Sequence, residues 1–343
     1  MFHRQLVALG LLLALASGCL RPVARYEPRG PDVQLSLLVL GDWGRFPKDG
    51  KTPEKQLHVA QALAEEDRHA PVDAVVFVGD NFYPRLKATE LETRLRANVI
   101  GPYCHFVDLT ERGQAALGDA CPESEIRRHR VPLWAVLGNH DIDRDSLQLE
   151  RELVPEYVAN WRLLGASPET LELPQGVSLV FYDSTSLRLR RGAADLPRLT
   201  AALRESRGPW RVLVAHHPID GREVERGIEL AIADSNARPQ LLLAGHIHDL
   251  RASVLAPPQP AFQLISGGGG GNESSRDLLP GQLWQLASTG FARVDLIGQG
   301  ERAHLRLRVF AVSANHDVPQ LVAAWTLDSA GRATPETLPG PGE

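Results

Sequence analysis

The stretch Val39-Leu40-Gly41-Asp42-Trp43-Gly44 ends an apolar run abruptly in an acid bracketed by two glycines. A buried strand leading into an ordinary turn has no need of that acid. Gly-Asp pairs are common in turns, so one instance decides nothing. The chain, however, repeats the arrangement. The apolar run 74–78 enters Gly79-Asp80-Asn81-Phe82-Tyr83, and the run 134–137 enters Gly138-Asn139-His140-Asp141. Later, 212–215 enters His216-His217-Pro218, and 241–244 enters Gly245-His246-Ile247-His248. Five runs of strand length therefore end in residue types that bind metals.

Between these runs lie stretches of helical character such as 54–66 and 89–99. The alternation predicts an α/β domain whose parallel strands are buried on both faces. In open α/β sheets ligands sit beyond the carboxyl ends of the strands, so residues far apart in sequence can share one site there. Carboxylates and an amide oxygen suit a hard ion, imidazoles a borderline one, and a carboxylate placed between two ions can bridge them. No internal repeat or linker divides the body. One catalytic domain is expected over 33–328, preceded by a Pro- and Arg-rich tether over 19–32 and followed by a flexible tail over 329–343.

A net charge of −5 without Lys/Arg blocks leaves no electrostatic footprint for nucleic acid. The start of the chain, residues 1–18, has a basic residue, an apolar stretch and then small residues, which is the pattern of a secretory leader. Leu15-Ala16-Ser17-Gly18-Cys19 resembles a bacterial lipobox, which implies cleavage before Cys19 and lipidation of its thiol; the bland alternative is a plain signal peptide with an incidental cysteine. The mature protein is expected outside the cytoplasm, lipid-anchored in a bacterial cell envelope, facing the periplasm or on the outer membrane. Cys104 and Cys121 then remain in a compartment that permits disulfides. A bridge closing about 15 residues would contribute ~3 kcal/mol on the chain-entropy estimate; two free buried thiols are the alternative.

The ordered blocks Gly-Asp-x-Gly, Gly-Asp-Asn-Phe-Tyr, Gly-Asn-His-Asp, His-His-Pro and Gly-His-x-His resemble the calcineurin-like metallophosphoesterases, and among them the purple (tartrate-resistant) acid phosphatases. The resemblance extends over roughly residues 35–300, with echoes at Phe181-Tyr182-Asp183-Ser184, in the glycine run from Gly267, and at Gly290-Phe291-Ala292-Arg293-Val294. It implies a four-layer α-β-β-α sandwich of two mixed sheets flanked by helices. Most of the superfamily begins with Asp-x-His, whereas Gly44 stands where that histidine would ligate. Tyr83 occupies the place at which the purple enzymes put a phenolate, a hard donor suited to ferric iron.

Carried over residue by residue, the resemblance makes Asp42, Tyr83 and His248 ligands of an Fe(III) ion and Asp80 a bridge. Asn139, His216 and His246 would hold a divalent ion, which could be iron, zinc or manganese. His216 is preferred to His217 because it stands two residues before Pro218, as the family ligand does; His217 would face the substrate or the ligands' surroundings. The implied reaction is hydrolysis of a small phosphate monoester by a metal-bound hydroxide. His140 is the candidate to protonate the leaving alkoxide or to hold the phosphate. The family's further histidine downstream of the His-x-Pro block has no counterpart in 219–226.

Other readings bound this one. Ala314-Asn315-His316-Asp317 repeats part of a motif without its glycine, after the last block, and reads as loop polar residues. The glycine run 267–271 lacks the ending of a phosphate-binding P-loop and suits close backbone approach or positive φ. Trp43 and Phe82 read as packing. Arg188 to Arg191 fall in a solvated strand, loop or basic rim, and the insertion holding both late cysteines is expected to shape a lid. Two rival functions are a phosphodiesterase or nucleotide-directed hydrolase on the same scaffold, and a non-catalytic lipoprotein that binds phosphate or metal. No protein partner is indicated.

Overall fold

The computed structural model describes residues 30–122, 130–142, 144–188, 195–221, 225–270, 278–313 and 316–338. The leader, Cys19, most of the expected tether, the basic stretch 189–194 and Asn315 lie outside them.

The run that ends at Asp42 forms β1 (Val33–Leu40), and its alternation shows why both of its faces are apolar. Leu37 and Val39 point to one side and Leu38 and Leu40 to the other, as the two-residue period of a strand requires. β2 (Ala74–Phe77), β3 (Leu133–Ala135) and β4 (Trp161–Leu163) continue from it in parallel. On its other edge β1 pairs antiparallel with β12 (Gly290–Ile297). From there β13 (His304–Ser313), β14 (His316–Leu327) and β15 (Ala333–Pro335) extend the sheet as antiparallel neighbours.

A second mixed sheet follows the order β11-β9-β10-β8-β7-β6-β5. Its strands are β5 (Glu169–Leu173), β6 (Val177–Phe181), β7 (Trp210–Val214), β8 (Leu241–Ala244), β9 (Leu250–Val254), β10 (Phe262–Ser266) and β11 (Gln282–Leu286). β6, β7, β8 and β10 run parallel, and β5, β9 and β11 run against their neighbours. The sheets pack face to face through Leu37, Val39, Val76 and Val136 of the first and Val212, Val214, Leu241 and Leu243 of the second.

Helices close the two outer faces. α1 (Glu54–His69) lies against β12, β13 and β14, and its Val59 and Leu63 join the core cluster that holds Leu38, Leu40, Val75 and Phe77. α6 (Leu196–Glu205) and α7 (Glu225–Ser235) cover the far face with Leu199, Leu203, Ile228 and Ile232. The result is the four-layer α-β-β-α sandwich that the motif resemblance implied. Each central strand is covered twice, which is why its sequence is a continuous apolar run. Truncating a residue such as Leu63, fully enclosed in this packing, costs about 2–5 kcal/mol.

Several expectations need correction. The stretch of helical character over 89–99 is helical but not of uniform pitch, passing from a short turn at Ala88–Glu90 through α2 (Leu91–Arg94) to a wider turn at Leu95–Ile100. Among its described residues the insertion packs inward: with α3 (Glu111–Leu117) it buries Tyr103, Phe106, Val107 and Leu117 in the core below β2. Of the two readings of Cys104 and Cys121 the bridged one holds: they are joined there, their Cα atoms 5.1 Å apart, with both residues buried. Part of the expected flexible tail is regular structure: β15 pairs with β14, and the Arg306 guanidinium donates to Glu336. His316, expected in a loop, opens β14. Two short helices, α4 (Arg144–Gln148) and α5 (Ser184–Arg188), stand near the loops described next.

Candidate metal centre

The loops leaving β1, β2 and β3 carry Asp42, Asp80 and Asn139, and those leaving β7 and β8 carry His216, His246 and His248. Main-chain bonds stitch the loops together: Asp42 N donates to Gly79 O at 3.0 Å, Gly41 N to Ser266 O at 2.7 Å, and Gly245 N to His216 O at 2.9 Å. Both sheets thus end at one site.

Asp42, Asp80 and His246 have φ of 62°, 53° and 70°, in the left-handed region that disfavours residues with side chains. Each such residue costs on the order of 1–3 kcal/mol and persists where the surroundings impose it, most often at functional sites. Glycines make room for the carboxylates. A Cβ on Gly138 would lie 2.0 Å from Asp80 Oδ1, and one on Gly267 would lie 2.0 Å from Ile247 O and 2.9 Å from Asp42 Oδ2. The expected close approach of the glycine run is therefore present at Gly267, without positive φ.

Two donor groups result. In the first, the Tyr83 hydroxyl stands 2.5 Å from Asp80 Oδ2, 2.9 Å from Asp42 Oδ1 and 3.1 Å from His248 Nε2. His248 Nε2 is 3.3 Å from Asp42 Oδ1. In the second, Asn139 Oδ1 faces His216 Nε2 at 3.1 Å and His246 Nδ1 at 2.9 Å. Asp80 lies between them: its Oδ2 belongs to the first group, while its Oδ1 is 3.4 Å from His216 Nε2 and accepts the His140 main-chain N–H at 2.9 Å.

The donor chemistry fits cations. Two fully buried carboxylates and a phenol crowd together with fewer protons than acceptor sites. His216 Nδ1 donates to Val78 O at 2.9 Å, which turns the lone pair of Nε2 toward Asn139 and Asp80, as a ligating imidazole requires. Burial opposes ionisation of Asp80, but the charge and hydrogen bond of His216 outweigh it and hold the carboxyl below its ordinary range. Burial likewise opposes protonation of His216, yet Asp80 lifts it to about 9. Burial, then the charges of Asp42 and Asp80, push the Tyr83 phenol well above its ordinary value.

Supports behind the donors were less visible in the sequence. Buried Asp141 accepts from the main-chain N–H groups of Gly138, Asn81 and Phe82, tying the Asn139 loop to the Asp80 loop. Burial and then the charge of Asp80 lift Asp141 to about 7. Asn81 reaches the buried Glu150 carboxylate at 3.1 Å. The buried Arg94 guanidinium donates to the carbonyls of Gly44, Tyr83 and Pro84 and to Asn98 Oδ1, joining the Asp42 and Tyr83 loops. Arg45, directly after the first motif, donates to His248 Nδ1 at 3.0 Å. Its position beside a motif was the one available signal; Arg94 had none.

The two histidines named as catalytic candidates differ in setting. The exposed His140 ring lies 4.5 Å from the Tyr83 ring. His217 is nearly buried, its ring 4.3 Å from that of His246, with Nδ1 3.0 Å from Ser184 Oγ. One of its ring nitrogens lies within 4.8 Å of those of His216 and His246, a third imidazole on that side. Trp43 and Phe82 are fully buried in an aromatic cluster with Phe77 and Tyr103, as expected for packing residues.

A family model for calcineurin-like phosphoesterases matches residues 35–250. In sequence the chain is similar to purple acid phosphatase 3 of Arabidopsis thaliana, 25% identical over 253 residues that cover 71% of this chain and 65% of that protein. It is also 25% identical to purple acid phosphatase 4 of that plant over 288 residues, covering 76% of this chain and 75% of the other. The match thus spans just under two thirds of one relative and three quarters of the other. In structure it is similar to a purple acid phosphatase, PPD1, from yellow lupin (Lupinus luteus) seeds, with a TM-score of 0.55 at 13% identity over 86% of this chain and 53% of that one. Similarity to PhoD has a TM-score of 0.54 at 13% identity, covering 91% of this chain and 73% of that one. At these identities the structural likeness concerns the fold.

Proposed function

The chain belongs to the calcineurin-like phosphoesterase family, and from that premise we propose that it hydrolyses phosphate monoesters with two metal ions held by its two donor groups. The observation that carries this is Asp80, whose two oxygens face different groups: Oδ2 is 2.5 Å from the Tyr83 hydroxyl and Oδ1 is 3.4 Å from His216 Nε2.

Asp42, Tyr83 and His248 would hold a ferric ion, Asn139, His216 and His246 a divalent iron, zinc or manganese ion, and Asp80 both. The neighbours of Tyr83 support the ferric assignment. Burial, then the charges of Asp42 and Asp80, raise the phenol, so a phenolate there would need a cation to stabilise it, and phenolate and carboxylate are hard donors that suit Fe(III). Bound ions supply Lewis-acid activation of water and neutralise phosphoryl charge.

The remaining work falls to the side chains. Water oxygen bonds to phosphorus and gives up a proton as the ester P–O bond breaks, and the departing alkoxide takes a proton, so alcohol and phosphate are the products. His140, exposed beside Tyr83, is placed to give that proton or to hold a phosphoryl oxygen. His217, steadied by Ser184, borders the other side. Asp141 keeps the Asp80 and Asn139 loops in register, so the donors need little rearrangement.

The soluble body, metal-replete and without residues 1–19, is expected to turn over aryl phosphate monoesters faster than the corresponding diesters. Preference for diesters would move the assignment to the phosphodiesterase alternative. Negligible turnover of several phosphoesters at full metal content would favour the non-catalytic lipoprotein. Export and anchoring through Cys19 belong to the same proposal and rest on the leader sequence; a Cys19→Ala chain released from membranes is the expected outcome.

A further inference from the structure

We propose that Arg45 is a substrate-binding residue of this site, pairing with non-bridging phosphoryl oxygens and biasing it toward monoesters; the inference rests on the phosphoesterase function proposed above. Its guanidinium carbon lies 4.5 Å from the centroid of the Tyr83 ring, and its Nη2 donates to His248 Nδ1 at 3.0 Å. It therefore touches two members of the first donor group while half-buried at the mouth of the site, beside the exposed Phe46.

The local fold fixes this residue in place. Arg45 N donates to Trp43 O at 2.8 Å, and Arg45 O accepts Asn98 Nδ2 at 2.8 Å. Asn98 is buried and held in turn by Gln56 and Arg94. The neighbouring cation, Arg94, is committed to main-chain carbonyls and shut away from solvent.

An imidazole nitrogen is a poor partner for this group. A His248 that gave Nε2 to a cation would carry its ring proton on Nδ1, where a guanidinium N–H has nothing to donate to. A phosphoryl group suits it better, since a planar guanidinium pairs two N–H groups with two anionic oxygens. Asp42 and Asp80 also present negative charge that an approaching phosphate must meet, and Arg45 offsets it. A monoester brings a doubly charged phosphoryl group and a diester a singly charged one, so the benefit is larger for the monoester.

The test compares the metal-replete protein with Arg45→Gln and Arg45→Lys, reading metal content, the dissociation constant of inorganic phosphate, and kcat/KM for an aryl monoester and its diester. Arg45→Gln is expected to keep its metals, to bind phosphate about 10- to 100-fold more weakly, the range of a lost charge-assisted pair, and to lose more monoester than diester activity. Arg45→Lys should recover part of the phosphate affinity, having the charge without the fork. Unchanged phosphate affinity in a metal-replete Arg45→Gln protein would overturn the inference and leave the proposed function standing. Loss of metal from both variants would overturn it in favour of a role in holding His248. A wild-type protein that neither binds phosphate nor turns over the monoester would remove the proposed function and this inference together.

Discussion

Gly44 is pressed against Asn81 so closely that a Cβ on it would lie 1.7 Å from the Asn81 carbonyl oxygen. Gly44 O in turn accepts the Tyr83 main-chain N–H at 2.6 Å. The position at which the motif resemblance would put the histidine of Asp-x-His is here filled by the backbone that presents Tyr83. Glycine at 44 and tyrosine at 83 are thus two sides of one local arrangement.

Gly44→Ala should accordingly lower stability by about 2 kcal/mol or more, since the clash is with backbone and cannot be relieved by a rotamer. Gly44→His should not restore a ligand. Chemical denaturation of both variants checks this; a wild-type midpoint for Gly44→Ala would contradict it.

His140 makes its hydrogen bond to Asp80 through the main chain, so removing its side chain leaves that bond intact. His140→Ala is expected to keep both metals and to lose about 10²- to 10⁴-fold in kcat, the usual range for a general acid. Full turnover at full metal content would remove His140 from the chemistry.

A pH dependence follows from the buried pair of His216 and Asp80. Held at about 9 when folded, against an ordinary 6.5, His216 keeps a proton that the unfolded chain releases. In metal-stripped protein the stabilisation from this proton is complete below about pH 6.5 and is lost as pH rises through about 9. Metal ions compete with the same proton, so zinc affinity at the second group should strengthen toward pH 9. Titrations at several pH values test the sign, and an affinity independent of pH would argue against His216 as a ligand.

The sequence revealed the site through strand ends. A strand buried on both faces leaves no polar residue unexplained until its last position, so Asp42, Asp80, Asn139, His216 and His246 stood out by contrast with what preceded them. Arg45 and Arg94 carried no such contrast, because their roles depend on loops brought together by the two sheets. The pitch change at Leu95–Ile100 was hidden for a related reason: Arg94 and Asn98 face inward to serve other segments, which no apolar period records. Edge strand β15 is short and partly exposed, and its Pro335 and polar neighbours read as a tail until β14 is there to pair with it.

The central claim is that Tyr83 and Asp80 join in one two-metal site with a ferric ion at the tyrosine. The most direct measurement is the metal content and visible spectrum of the purified soluble body beside Tyr83→Phe. The account predicts bound iron and a tyrosinate-to-iron absorption band that disappears in the variant. Active, iron-free protein without such a band, unchanged by the substitution, would contradict it.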